Sequence, residues 1–319
     1  MTRPHIAIIS PASANSNNGN WHTAHRWSRF LRSRYRVTLL TETPALAGIT
    51  AHLLIALHAR RSASALAAFG ASRPDMPTLL VLTGTDLYRD LDSDAAARHS
   101  VQAATHLVVL QDAALKRLDM DARAKASVIY QSAPTLKPLD HLRPGRRHFD
   151  VSMIGHLRPE KDPLTFMRAA TLVSSPDIRF THVGAALDPE LGQCARQMHQ
   201  TQPNYCWLGG LAHAAARQRL KCSQLMVIAS VMEGGANVIC EAVSSGVPVA
   251  ASDIDGNRGM LGDDYDGYFP LGDSGALARL IERAAAEPWF YQTLRRQCAA
   301  RAPLFAPERE QSLLLQLVD

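Results

Sequence analysis

Leu225-Met226-Val227-Ile228-Ala229 is a short, wholly apolar run, and soon after it Glu233-Gly234-Gly235-Ala236-Asn237-Val238-Ile239-Cys240-Glu241-Ala242 opens a helical pattern. A run of that length without alternation reads as a strand covered on both faces. The glycine pair marks the turn. A doubly covered strand leading through a turn into a helix is half of a parallel βαβ unit.

The same alternation extends in both directions. Apolar runs at 5–10, 36–41, 52–57, 78–83, 106–111 and 127–131 precede a break, and runs at 150–154, 178–183, 205–208 and 248–251 accompany 225–229 after it. Helical patterns lie at 20–34, 163–172, 214–220 and 236–244; in the first of them Trp27, Phe30 and Leu31 share a face opposite the arginines. The break is a poor core: Pro134, Pro138, Pro144 and Gly145 stand among Arg143, Arg146 and Arg147. The expected fold is α/β, with two doubly wound Rossmann-like domains facing across a cleft. Residues 1–145 form one and 146–300 the other. The tail, helical in pattern around Pro303 and Pro307, is expected as a C-terminal helix over 301–319 that packs back on the first domain.

Composition agrees. With 319 residues, 46% hydrophobic and 20% charged, the chain has material for two cores and is not disordered. Its longest apolar stretches fall far short of the roughly 20 residues that cross a bilayer. The N-terminus has no signal-peptide pattern, so a cytoplasmic location and no membrane partner are expected. The cysteines at 194, 206, 222, 240 and 298 form no C-x-x-C pair, which reads as reduced thiols rather than a zinc site or disulfide frame. Charge is uneven: residues 1–150 hold 19 Lys+Arg against 11 Asp+Glu, and residues 151–319 hold 15 against 18. A basic first half suits an anionic ligand. Nucleic acid is not the expected partner, because the basic residues are dispersed and aromatics are only 6% of the chain.

In open parallel sheets ligands bind beyond the carboxyl ends of the strands. The turn at Glu233–Asn237 lies at such an end. Gly234 and Gly235 allow a ligand to approach the backbone, and Ala236 and Asn237 open a helix whose free N–H groups suit a phosphate. Glu233 and Glu241 are poor partners for phosphate alone but good acceptors for sugar hydroxyls. By spacing alone, an ordinary βα turn with solvated acids fits equally well. Gly155-His156-Leu157-Arg158-Pro159-Glu160-Lys161 also follows a strand, and Arg158 and Lys161 could offset the charge of a diphosphate. The competing reading is a salt-bridged surface loop. Near the first strand, Asn17-Asn18-Gly19-Asn20 opens the Trp27 helix, with Thr23 and Arg26 one turn in: an anion site, or a plain Asx-rich turn. Asp86 in Thr83-Gly84-Thr85-Asp86 either orients an acceptor or caps the helix after it. His22 and His25, and the Asp263, Asp264 and Asp266 group, lack the partners of a metal site. Ser10 and Ser230 lack the glycines of a nucleophile elbow, and no G-x-G-x-x-G turn is present.

The 155–163 and 233–241 segments resemble those of GT-B glycosyltransferases with the E-x7-E signature. That resemblance assigns Glu233 to the donor sugar and Glu241 to the nucleotide ribose. It gives Lys161 and Arg158 to the diphosphate, and places Leu208 and Gly209 beside the base. His156 stands where that family carries arginine, and Arg158 is the substitute. Four features together are similar to the selenosugar synthases of bacterial selenoneine biosynthesis: 18–20 with Arg26-Trp27, 82–87, 155–163, and 233–237 with Gly256-Asn257 and Gly262–Tyr265. This implies an enzyme joining selenophosphate to the anomeric carbon of a UDP-sugar such as UDP-N-acetylglucosamine, with release of UDP and phosphate. Lys161, Arg158 and Glu233 are then the catalytic residues, and Gly155, His156, Leu208, Gly209, Gly234, Gly235, Ala236, Asn237 and Glu241 hold the donor. Asn18, Gly19, Asn20, Thr23, Arg26, Thr85 and Asp86 hold selenophosphate. No divalent metal is implied. The open alternatives are a GT-B enzyme with a hydroxyl acceptor on a lipid or glycan, and a non-catalytic UDP-sugar-binding protein.

Overall fold

The computed structural model describes residues 3–13, 19–137 and 148–319. All the apolar runs form strands. The first sheet contains β1 (His5–Ile9), β2 (Arg36–Leu40), β3 (Leu53–Leu57), β4 (Thr78–Leu82), β5 (His106–Val109) and β6 (Ala126–Val128). Its order is β2-β1-β3-β4-β5-β6, and every pair is parallel. Its helices are α1 (Gly19–Leu31), α2 (Ala63–Ser72), α3 (Leu91–Ser93), α4 (Ala95–Ala103) and α5 (Met120–Ala124), with a π-helical turn at Asp86–Asp90 before α3.

Along β1 the side chains alternate between two cores. Ile6 and Ile8 join Trp27 and Leu31, whereas Ala7 and Ile9 join Phe69 and Leu80. Both faces of the sheet are therefore covered, which is why the strand shows no polar alternation.

The second sheet contains β7 (Phe149–Ile154), β8 (Ile178–Val183), β9 (Tyr205–Trp207), β10 (Leu225–Ile228), β11 (Val249–Ser252) and β12 (Tyr268–Phe269). They lie in the order β12-β11-β10-β7-β8-β9, again all parallel. The helices are α6 (Pro163–Leu172), α7 (Pro189–Thr201), α8 (His213–Cys222), α9 (Asn237–Ser244), α10 (Asp255–Leu261), α11 (Ser274–Ala286) and α12 (Pro288–Arg301). The two-residue β12 has no period to read and was not expected. Of the run at 127–131, only the start joins a strand.

The final helix, α13 (Pro307–Val318), returns to α1. Glu310 is buried, and its carboxylate accepts from Arg26 Nε at 2.7 Å, Arg26 Nη2 at 3.1 Å and Trp27 Nε1 at 2.7 Å. One turn further on, Leu314 is fully buried in the cluster with Trp27 and Leu31. Asp319 closes the contact on Arg34 and Tyr35. Residues 1–131, 233–236 and 307–319 accordingly form one compact unit, and 132–232 with 237–306 form the other. The expected boundary at 145 lies outside the described residues.

Strand order reverses between β1 and β3 in the first sheet and between β7 and β10 in the second. These switch points are where loops diverge and leave room for a ligand.

Candidate functional site

At the second switch point the loop after β7 is held rigidly. Leu157 N–H donates to Ala185 at 2.9 Å, and the Leu157 carbonyl accepts from Leu187 and Asp188 at 3.1 Å each. Asp162 adopts the left-handed region (φ 43°), caps α6 through Thr165 N–H, and precedes Pro163 at the first helical position. Arg158 and Lys161 project from this frame. The stem of Lys161 folds back over Gly155: a Cβ on Gly155 would meet Lys161 Cγ and Cδ at 4.0 Å. The Arg158 Nε is buried and has no hydrogen-bond partner among the described residues. A guanidinium with an unpaired buried Nε, close in sequence to a lysine, is suited to a divalent anion.

Glycines crowd beneath that pair. A Cβ on Gly184 would lie 1.8 Å from the Gly155 carbonyl oxygen, so β7 and β8 end in backbone-to-backbone contact. Gly184 N–H donates to Gly209 at 2.8 Å, and Trp207 Nε1 donates to the Gly184 carbonyl at 2.9 Å. Gly209 takes φ +67°, a conformation glycine adopts without strain, and Leu208 beside it is half-buried. His156 accepts from Ala185 N–H through Nδ1 at 3.1 Å, so it braces the loop.

The loop after β10 is stitched to the first: Val231 N–H donates to the Glu160 carbonyl at 2.9 Å. Glu233 is buried, and Gly234 lies so close to β4 that a Cβ would meet the Thr83 carbonyl carbon and oxygen at 2.5 Å. A Cβ on Gly235 would meet the Leu110 Cβ at 2.5 Å. Residues 233–236 therefore belong with the first unit although strand and helix on either side belong with the second. Ala236 is buried, Asn237 begins α9, and Glu241, five residues along that helix, is buried with Oε1 held by His213 Nε2 at 2.6 Å. Sequence reasoning missed His213, which begins α8 and carries no motif of its own.

In the first unit, Asp86 is fully buried and accepts from the main-chain N–H groups of Ala59, Thr83 and Gly84 at 2.7–3.2 Å. It neither caps a helix nor faces solvent; it ties the ends of β3 and β4 together. Beside it, His58 sits at φ +75° with Nε2 3.0 Å from the half-buried Thr85 hydroxyl. Burial lowers the pKa of His58 below the usual imidazole value, favouring the neutral ring, even though Asp86 and Asp90 lie nearby. Along α1, Gly19 is exposed and Asn20 half-buried. Thr23 is fully buried, donating to the Gly19 carbonyl at 2.9 Å and accepting from Gln131. Arg26 is engaged by Glu310. Asn18 lies outside the described residues. The structure thus brings Arg158, Lys161 and the Gly155 loop together, with Val231 of the loop after β10 bonded to the Glu160 carbonyl. Thr23 and Arg26 are bound into the packing of α1.

Two doubly wound parallel sheets of six strands each define a GT-B fold. Over residues 148–287 the chain matches the family model described as glycosyl transferases group 1. It is also 32% identical over 134 residues to an Escherichia coli enzyme, UDP-Gal:alpha-D-GlcNAc-diphosphoundecaprenol alpha-1,3-galactosyltransferase; this covers 39% of the chain and only 33% of that enzyme. Among solved structures, HepE of Anabaena in complex with UDP and glucose superposes with a TM-score of 0.79 at 17% identity over 99% of each chain. Sucrose-phosphate synthase of Thermosynechococcus elongatus gives 0.78, at 17% identity over 99% of this chain and 98% of that one.

Proposed function

We propose that the protein transfers a glycosyl group from a UDP-sugar, with selenophosphate as the attacking anion. The carrying observation is the loop after β7, where Arg158 and Lys161 stand above glycine-crowded strand ends at the switch point of the second sheet. The match of residues 148–287 to group 1 glycosyl transferases supports the glycosyl-transfer part of this reading. In it, Lys161 and Arg158 stabilise the departing diphosphate, the Gly234 and Gly235 amides assist, and Glu233 orients the sugar. Glu241 takes the ribose hydroxyls, with Leu208 and Gly209 beside the base and Gly155, His156, Ala236 and Asn237 completing the donor site. The attacker falls to Asn18, Gly19, Asn20 and Thr85, with Thr23, Arg26 and Asp86 holding those segments in place.

The selenium lone pair forms the new bond at the anomeric carbon. The carbon–oxygen bond to the diphosphate breaks, and its electron pair leaves with UDP. Water then cleaves the phosphorus–selenium bond, releasing phosphate and the selenosugar. An anionic selenium nucleophile needs no deprotonation, so positioning carries the rate; well-oriented reactants can supply about 7–11 kcal/mol. No divalent metal enters the scheme, because cationic side chains and main-chain N–H groups take its part.

A second reading keeps the donor and replaces the attacker by a hydroxyl on a lipid-linked sugar. The partial likeness to the E. coli galactosyltransferase, whose named acceptor is diphosphoundecaprenol-linked, favours it. The exposed Arg29 of α1 and Arg32 just after it suit an anionic lipid surface. The separating experiment incubates the protein with UDP-N-acetylglucosamine and selenophosphate without added metal, and follows UDP and selenium-bearing sugar by mass spectrometry. A selenosugar supports the first reading. Co-sedimentation with anionic vesicles and transfer to a lipid-linked sugar support the second. No product from any UDP-sugar overturns both.

A further inference from the structure

We infer that His213 is a positioning residue, which presets the Glu241 carboxylate for the ribose of the donor nucleotide. The inference rests on the proposed ribose role of Glu241. Its own observation is the pair itself. His213 Nε2 lies 2.6 Å from Glu241 Oε1, within the short range of a charge-assisted hydrogen bond. The two side chains are unlike in exposure: 45% for His213 and 11% for Glu241. A fully solvated pair of this kind contributes little. Here the carboxylate is enclosed, so the hydrogen bond is made in a less polar surrounding, where geometry counts for more.

The bond also divides the carboxylate. Oε1 is held by the imidazole, while Oε2 accepts no hydrogen bond from the described residues. Glutamate has several rotatable bonds, and an unheld side chain must be ordered when a ligand arrives. His213 does that ordering beforehand and leaves Oε2 to accept from a ligand hydroxyl. Both ends are well founded. His213 is the first residue of α8, and Glu241 lies inside α9, where its main-chain carbonyl accepts from the Ser245 hydroxyl at 2.7 Å. The imidazole sits toward solvent, where its removal opens no core cavity.

The test uses the full chain and calorimetric binding of two probes, UDP and 2′,3′-dideoxy-UDP, which lacks the ribose hydroxyls. If His213 acts through Glu241, His213→Ala weakens UDP by about 10- to 150-fold, the loss of one hydrogen bond to a charged group, and leaves dideoxy-UDP within twofold. His213→Leu, which keeps bulk without a donor, behaves as His213→Ala. His213→Gln, which keeps an N–H, recovers most of the UDP affinity. Equal weakening of both probes by His213→Ala and His213→Leu would mean a general packing role and overturn the inference. So would unchanged UDP affinity in the two variants while Glu241→Ala still weakens UDP; that result leaves the ribose reading standing. Wild-type protein that binds UDP and dideoxy-UDP alike, with Glu241→Ala silent, removes the ribose reading and the inference with it.

Discussion

Replacing Gly234 by alanine places a methyl group against main chain on two sides. The new Cβ lies 2.5 Å from the Thr83 carbonyl carbon and oxygen and 2.6 Å from Gly84 N, and none of these atoms can swing aside as a side chain would. Ordinary contact for such a carbon begins near 3.4 Å. The Glu233–Ala236 segment must therefore shift by about 1 Å, and Glu233 moves with it. Overpacking of this kind costs about 1–3 kcal/mol. In a body of this size each kcal/mol lowers the melting midpoint by about 2–4 °C, so a fall of about 2–12 °C is expected by circular dichroism. The rate of UDP release with UDP-N-acetylglucosamine and selenophosphate falls about 100-fold, the usual consequence of misplacing a reacting group by about 1 Å. Gly155→Ala is the internal control: its Cβ meets only the Lys161 stem, at the ordinary distance of 4.0 Å, and it keeps the wild-type midpoint. A Gly234→Ala protein with wild-type melting and a rate within twofold of wild type would refute the reasoning, because it would mean that the close approach to Thr83 does not position Glu233.

Other substitutions test other parts of the molecule. Glu310→Ala leaves the Arg26 guanidinium largely buried without its carboxylate and removes the acceptor of Trp27 Nε1; a loss of about 3–5 kcal/mol is expected in urea denaturation. A loss below about 1 kcal/mol would show that α13 is not anchored through this residue. Lys161→Ala should lower kcat by about 100- to 1000-fold with melting unchanged, the range seen when one transition-state donor is removed; an effect on donor affinity alone would point to a binding protein. Stability should also fall in mild acid. Burial holds the His182 imidazole down to about 4, so below the usual 6.5 the unfolded chain takes up a proton that the folded chain refuses. The contribution is fully present above pH 6.5, declines as the pH falls toward 4 and then levels off. It amounts to about 2 kcal/mol between pH 7 and pH 5. Denaturation of His182→Phe across this range should show a correspondingly flatter profile, and an unchanged slope would sink the assignment.

The order of residues by itself determines eleven of the twelve strands, several of the helices and the positions of the loops after β7 and β10. Those signals are local. An apolar run without alternation, a glycine pair at its end and a 3.6-residue stripe after it depend on neighbours a few positions away, and every strand but the two-residue β12 follows from such runs. The tertiary structure decides which polar groups are committed. Arg26, read as a free cation beside a helix start, meets Glu310 across 284 positions of chain. Asp86, open between two roles, is claimed by three main-chain N–H groups once β3 and β4 lie side by side. Gly234 and Gly235 look like flexible turn residues, yet close packing on Thr83 and Leu110 leaves no space for a Cβ at either. His213 gains its meaning only when the chain turns back 28 positions to Glu241. Hydrogen bonds and steric contacts act over a few ångströms of space, whatever the distance along the chain, so no local pattern could have announced these pairings.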